Sequence, residues 1–296
     1  MPRLMAKGGR LKMQFSISEF VLTHKIPTYS TAAVQQQKRG NMTKTAICQW
    51  CIPVTGPEAL QLAVDMGYDG VEMDMGFGKP EQDLLIPEVL ESFLQAKMNC
   101  KIQTPSLACN GLSLKNTQNR EHKEQIMRAV VDVAVKLDAK ILQMPSFFED
   151  GIKTEEDMAE TARSLKYLCQ QAAGHGIVAG TENQLDVQQN LKLIGLVGEP
   201  NFAVYFDNAN PYLFDKRDGV KMLKELYPHI CETHIKDFSL WGKKPCRPLG
   251  KGGCHAKETL EFLKKMGYEG WIVSENDLSA EKLAADAVWI RKVMGD

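Results

Sequence analysis

Residues 176–210, GIVAGTENQLDVQQNLKLIGLVGEPNFAVYFDNAN, read as strand, helix, strand. Apolar runs of strand length at 176–182 and 202–207 flank a stretch at 187–197 whose apolar residues recur at three- and four-residue spacing. Each run closes on a carboxylate, Glu182 in the first and Asp207 in the second. Two segments of the same build follow: ICETHIKD at 230–237 carries His234 and GWIVSEND at 270–277 carries Glu275. Strands joined through helices run parallel, so their C-terminal ends, and these four residues, gather on one face.

The same alternation extends back through the chain. Further strand candidates lie at 44–51, 69–75, 100–108 and 139–146, joining those at 176–182, 202–207, 230–236 and 270–275. Helix candidates fill the gaps at 57–66, 87–98, 120–137, 154–173, 187–197, 217–226, 256–266 and 280–294. Pro57, Pro87 and Thr154 mark helix starts, and Asp157 makes a capping box with Thr154. Gly67-Tyr68-Asp69-Gly70 and Gly267-Tyr268-Glu269-Gly270 each supply a capping glycine and a short turn into a strand. Eight alternations without a long linker predict one (β/α)8 TIM barrel over residues 43–296, with an open parallel sheet as the alternative.

Residues 1–42 are basic and show no sustained period, which predicts a poorly ordered extension; Met42 could be the initiator. They hold seven Lys or Arg against Glu19, so the net charge of −1 leaves −7 on the remainder. An acidic body does not suit phosphate backbones, which points away from nucleic acid and toward a small-molecule substrate. No apolar run is long enough to span a bilayer. The eight cysteines are scattered, as expected of reduced thiols in a cytoplasmic protein. Cys48-Gln-Trp-Cys51 lies on a predicted strand, where residues three apart face opposite sides, so incidental thiols are expected there.

Glu182, Asp207, His234 and Glu275 read together as one metal site. Three carboxylates and an imidazole form an oxygen-rich set that suits Mn²⁺, Mg²⁺ or Co²⁺, with Zn²⁺ also accommodated. Singly, each strand-end acid could equally cap a helix or pair with a base. By strand parity with His234, Lys236 faces the barrel mouth, to meet substrate or a strand-end acid, and Glu232 lies one layer deeper, where burial demands a partner.

Residues 44–294 resemble the xylose-isomerase-like (β/α)8 superfamily of sugar isomerases and epimerases, which also holds endonuclease-IV-like enzymes and inosose dehydratases. The matching elements are Gly70-Val71-Glu72, Thr181-Glu182-Asn183, Asp207-x-x-Asn210, His234-x-Lys236-Asp237, the Gly250-Lys251-Gly252 loop and Gly270-Trp271-Ile272-Val273-Ser274-Glu275. The resemblance implies that Glu182, Asp207, His234 and Glu275 hold one divalent cation, Mn²⁺ first, and that Glu182 and Glu275 move the proton. It implies Asn210 as a substrate contact and a homo-oligomer, dimer or tetramer. The expected activity is metal-dependent isomerisation or epimerisation of a sugar or sugar phosphate through an enediolate.

The chain departs from the relatives in the loop after the seventh strand, where Lys251 and His255 stand in place of acids. Arg247, Lys251 and His255 are therefore expected as substrate contacts favouring an anion, with a solvated loop as the plain alternative. Glu72 is expected as a substrate contact, a group behind the site, or a helix-cap partner. The competing activity is a lyase, an inosose dehydratase or a deglycosidase of an oxidised sugar, in which His255 could serve as the acid for β-elimination. A silent binding module would lack a ligand, and none is missing. Six histidines, of which only His234 and His255 could reach the site, argue against a trinuclear nuclease centre.

Overall fold

A computed structural model describes residues 43–115, 119–239 and 246–296. The expected basic extension, residues 1–42, lies outside the described residues. Eight parallel strands close into a barrel in sequence order: β1 (Thr45–Cys48), β2 (Gly70–Asp74), β3 (Ser106–Ala108), β4 (Ile141–Ser146), β5 (Val178–Asn183), β6 (Phe202–Asp207), β7 (Ile230–Ile235) and β8 (Ile272–Ser274). Ala46 of β1 pairs with Val273 of β8 to complete the ring.

The helices between them are α1 (Glu58–Asp65), α2 (Pro87–Cys100), α3 (Arg120–Leu137), α4 (Glu155–Ala172), α5 (Val187–Val197), α6 (Asn210–Asp215), α7 (Gly219–Leu226), α8 (Ala256–Lys265) and α9 (Ala280–Met294). Local chemistry sets their ends. Thr154 accepts from the Asp157 N–H, and Asp186 forms the same reciprocal box with Gln189. Gly67 and Gly267 adopt φ of +85° and +68°, which lets each helix stop and turn into the next strand.

Two expectations are corrected. The strand foreseen at 100–108 shrinks to Ser106–Ala108, because Cys100 finishes α2 and Lys101 takes a left-handed φ of 58°. The first strand stops at Cys48, and Gln49–Cys51 form a short 3-10 turn, so Cys48 and Cys51 do not share a strand. The short helix α6 was not foreseen. Among the described residues no helix is long and apolar enough to cross a membrane.

Register brings the chemistry to one end. Glu182 lies opposite Pro145, Asp207 opposite His234, and Cys48 opposite Glu72. The barrel interior just below that end is polar: Glu72, Glu232 and His234 are fully buried.

Candidate metal centre and active site

One ligand atom from each of Glu182, Asp207, His234 and Glu275 lies within 4.8 Å of the others. His234 is the hub. Its Nδ1 sits 3.5 Å from Glu182 Oε1, 3.4 Å from Glu275 Oε2 and 3.9 Å from Asp207 Oδ2, yet has no hydrogen-bond partner. Its Nε2 is 2.5 Å from Glu72 Oε2, which also accepts from the Cys48 thiol at 3.2 Å. The Tyr205 ring packs against the imidazole at 4.6 Å. A carboxylate behind the imidazole fixes its orientation and raises the basicity of the opposite nitrogen.

The carboxylates are aimed with equal care. Asp207 Oδ1 accepts the backbone N–H groups of Ala209 and Asn210, both at 2.7 Å, which turns Oδ2 toward the cluster. Glu182 receives Asn210 Nδ2 at 2.7 Å on one oxygen and Gln143 Nε2 at 2.6 Å on the other. Glu275 receives Trp50 Nε1 at 3.2 Å and pairs with Lys236, whose Nζ also lies 2.9 Å from Asp207.

These surroundings separate the two glutamates. Burial raises the Glu182 carboxyl above the usual carboxylate range, against the pull of His234. Burial also opposes ionisation of Glu275, but Lys236 and His234 overcome it and hold this carboxyl at about 2. The Cys48 thiol is pushed well up, chiefly by burial, so it stays a protonated donor. A divalent cation fits this donor set. Three carboxylates converge on an imidazole nitrogen that lacks a partner, and the Lys236 ammonium sits where the acids call for positive charge.

A cavity of about 180 Å³ opens over the cluster. Glu182, Glu275, Lys236, Gln143, Asn210 and Asn110 line its polar side, and Trp50, Phe147, Phe148 and Phe214 its aromatic side. Lys236 points into the mouth as parity predicts and pairs there with strand-end acids. Asn210 reaches the cavity and orients Glu182.

Other expected residues do not line this cavity. Glu72 is fully buried with its Oε2 on His234 Nε2, which is the placement behind the site among its three expected roles, and it does not line the cavity. His255 occupies the N-cap position of α8 without a side-chain cap bond, stacks on Tyr212 at 5.2 Å and lines a separate groove, so it does not line the cavity over the cluster. Arg247 is exposed and donates to Ser239 Oγ; Lys251 is exposed, and neither lines the cavity. Asp237 explains the loop: its carboxylate accepts the N–H groups of Gly250, Gly252 and Cys254, each at 3.0 Å, so an internal anion already occupies that backbone cradle. Cys48 donates to Glu72 Oε2, a contact separate from the Cys48 and Cys51 pairing that was weighed in the sequence.

Sequence reading missed Gln143, Trp50 and the phenylalanines. Gln143 alone left a signal, a polar residue within the apolar ILQMPS strand. Among the described residues two clusters of acid, His or Cys ligand atoms form, Cys48, Glu72 and His234 and the four-residue set, and both share His234.

A model of the xylose isomerase-like TIM barrel family matches residues 60–293. The chain belongs to that family. A 2-epi-5-epi-valiolone 7-phosphate 2-epimerase of Actinoplanes is 27% identical over 258 residues, covering 84% of this chain and 94% of that protein. Among solved structures, a xylose isomerase domain protein from Planctomyces limnophilus superimposes with a TM-score of 0.71 at 19% identity, covering 86% of this chain and 98% of its own. A probable 3-DHS dehydratase from Bacillus anthracis gives 0.67 at 16% identity over 83% of this chain and 98% of its own. At these identities the solved structures of the family speak for the barrel.

Proposed function

We propose that this protein is a divalent-metal-dependent isomerase or epimerase that moves a proton beside the carbonyl of a sugar-like substrate. The observation that carries the reading is the convergence of Glu182 and Glu275 on His234 Nδ1, within 3.5 and 3.4 Å, from strands three apart in the ring. Two carboxylates that approach one point from different directions can take a proton from one side of a carbon and return it from another.

A divalent cation held by Glu182, Asp207, His234 and Glu275, with Mn²⁺ or Mg²⁺ best suited to the donors, would stabilise the negative charge that develops when a carbon beside a carbonyl is deprotonated. Glu275, which lines the cavity beside Lys236, takes the proton on one side of the carbon. Glu182, oriented by Gln143 and Asn210, delivers a proton of its own from another side, while Glu275 keeps the one it took. Lys236 Nζ is the cation nearest the reacting atoms and meets a substrate oxygen. The aromatic side of the cavity excludes water from the carbanion. The relative named as an epimerase supports proton return to the same carbon. A small carbohydrate-like partner and a reducing, cytoplasmic setting, in which the eight unpaired thiols persist, belong to the same proposal.

The test is solvent deuterium incorporation followed by NMR, with Mn²⁺-loaded protein and a panel of ketoses, ketose phosphates and keto-inositols. Exchange beside the carbonyl that disappears in Glu275→Gln is expected. Exchange that persists in Glu275→Gln, or none with any ketone despite bound metal, would overturn the assignment.

A further inference from the structure

The aromatic side of the cavity has a feature that proton transfer does not require. Phe147 and Phe148 come from the turn after β4, Phe214 from α6, and the three rings meet at centroid distances of 6.4, 5.9 and 5.4 Å. Phe148 holds a φ of 52°, a left-handed conformation that bulky residues rarely adopt. That turn is braced from several sides: Phe148 N–H donates to Gln184 Oε1, Ser146 Oγ to the Asp150 carbonyl, and Lys115 Nζ to the Gly151 carbonyl. Yet Phe148 is 66% exposed. A strained, braced backbone that presents a phenyl ring to solvent at a cavity mouth contributes little to the core, and strain of this kind concentrates where ligands bind.

We propose that Phe147, Phe148 and Phe214 form a platform for the C–H face of a ring-shaped polyol, so that the substrate is a closed-ring ketone rather than an open-chain one. The inference rests on the proton-transfer reading of the adjoining polar side. In a six-membered polyol the C–H bonds gather on a face made electropositive by neighbouring oxygens, which complements the negative face of an aromatic ring. An open chain has no persistent face and loses rotor freedom when it is flattened. Asn110, Gln143, Asn210 and Lys236 line the same cavity, and their side chains carry donors for the hydroxyl groups.

The experiment compares dissociation constants, from saturation-transfer NMR titrations of the metal-loaded protein, for myo-inositol and a hexitol, which share carbon and hydroxyl counts and do not react. A ring preference of about tenfold is expected, collapsing toward one in Phe148→Ala and retained in Phe148→Tyr. Because the side chain is largely exposed, Phe148→Ala should melt within a few degrees of the wild type, which separates lost recognition from lost folding. A ratio near one in the wild type, including no measurable binding of either compound, or a ratio unchanged in Phe148→Ala, would overturn the platform. Deuterium exchange of a keto-inositol in the same samples keeps the two claims apart. Ring preference without exchange sustains the platform and condemns the proton-transfer reading. Exchange without ring preference does the reverse.

Discussion

Replacing Glu72 by Gln should weaken metal binding 10- to 100-fold without unfolding the barrel. Glu72 and His234 are both fully buried, and Glu72 Oε2 lies 2.5 Å from His234 Nε2, on the side of the ring opposite the cluster. The amide is nearly isosteric, so packing survives, but a charge-assisted hydrogen bond becomes a neutral one. Charged bonds contribute about 1.5–3 kcal/mol and neutral ones about 0.5–1.5, so the change is roughly 1.5 kcal/mol, about tenfold in affinity. The imidazole also loses the basicity that a carboxylate partner confers, and such replacements behind metal ligands typically weaken binding by about 10- to 100-fold. Calorimetric titration with Mn²⁺ at fixed pH measures this, with circular dichroism to confirm the fold. An affinity within a factor of two of wild type, in folded protein, would refute the role given to Glu72.

Lys236→Met should bind Mn²⁺ about tenfold more tightly, because an ammonium that competes for Asp207 and Glu275 is gone; the metal-free form should melt lower, and weaker binding by the same titration would contradict the placement. Asp237→Ala should destabilise the fold by about 3 kcal/mol in urea unfolding, since the N–H groups of Gly250, Gly252 and Cys254 lose a shared acceptor; a change under 1 kcal/mol would show that the loop does not depend on it. Burial, aided by repulsion from Glu72, pushes the Glu232 carboxyl from its usual 4.5 up to about 8. Between those values the folded chain keeps a proton that the unfolded chain releases, so stability falls as pH rises. Glu232→Gln should therefore gain over wild type from pH 5 to pH 8, on the order of a few kcal/mol; parallel unfolding curves at both pH values would exclude an ionisable Glu232 in the interior.

What could be read before folding follows from where each residue's constraint lies. Strands β5 to β7 and their end residues were legible because short, nearly continuously buried runs, each with an acid or imidazole at or next to its last position, recur between helical stretches. Glu232 was flagged by parity alone, and its burial and raised carboxyl follow. Glu72 was visible as a strand residue, but whether it faces substrate or the back of His234 depends on the register of β1 and β2, Cys48 against Glu72, which sequence does not encode locally. Lys251 and His255 misled because residue type suggested a cationic rim, while Asp237 had already claimed the loop's backbone donors. Trp50, Phe148 and Phe214 lie on turns or on a six-residue helix without periodicity, and only the closed ring of strands brings them together.

The most direct measurement is an anomalous difference map from crystals of the protein soaked in Mn²⁺. One strong peak is expected among Glu182, Asp207, His234 Nδ1 and Glu275, with Lys236 drawn away from the acids. No peak there, or a peak on the opposite side of the imidazole beside Cys48 and Glu72, would contradict the metal centre and the proton chemistry built on it.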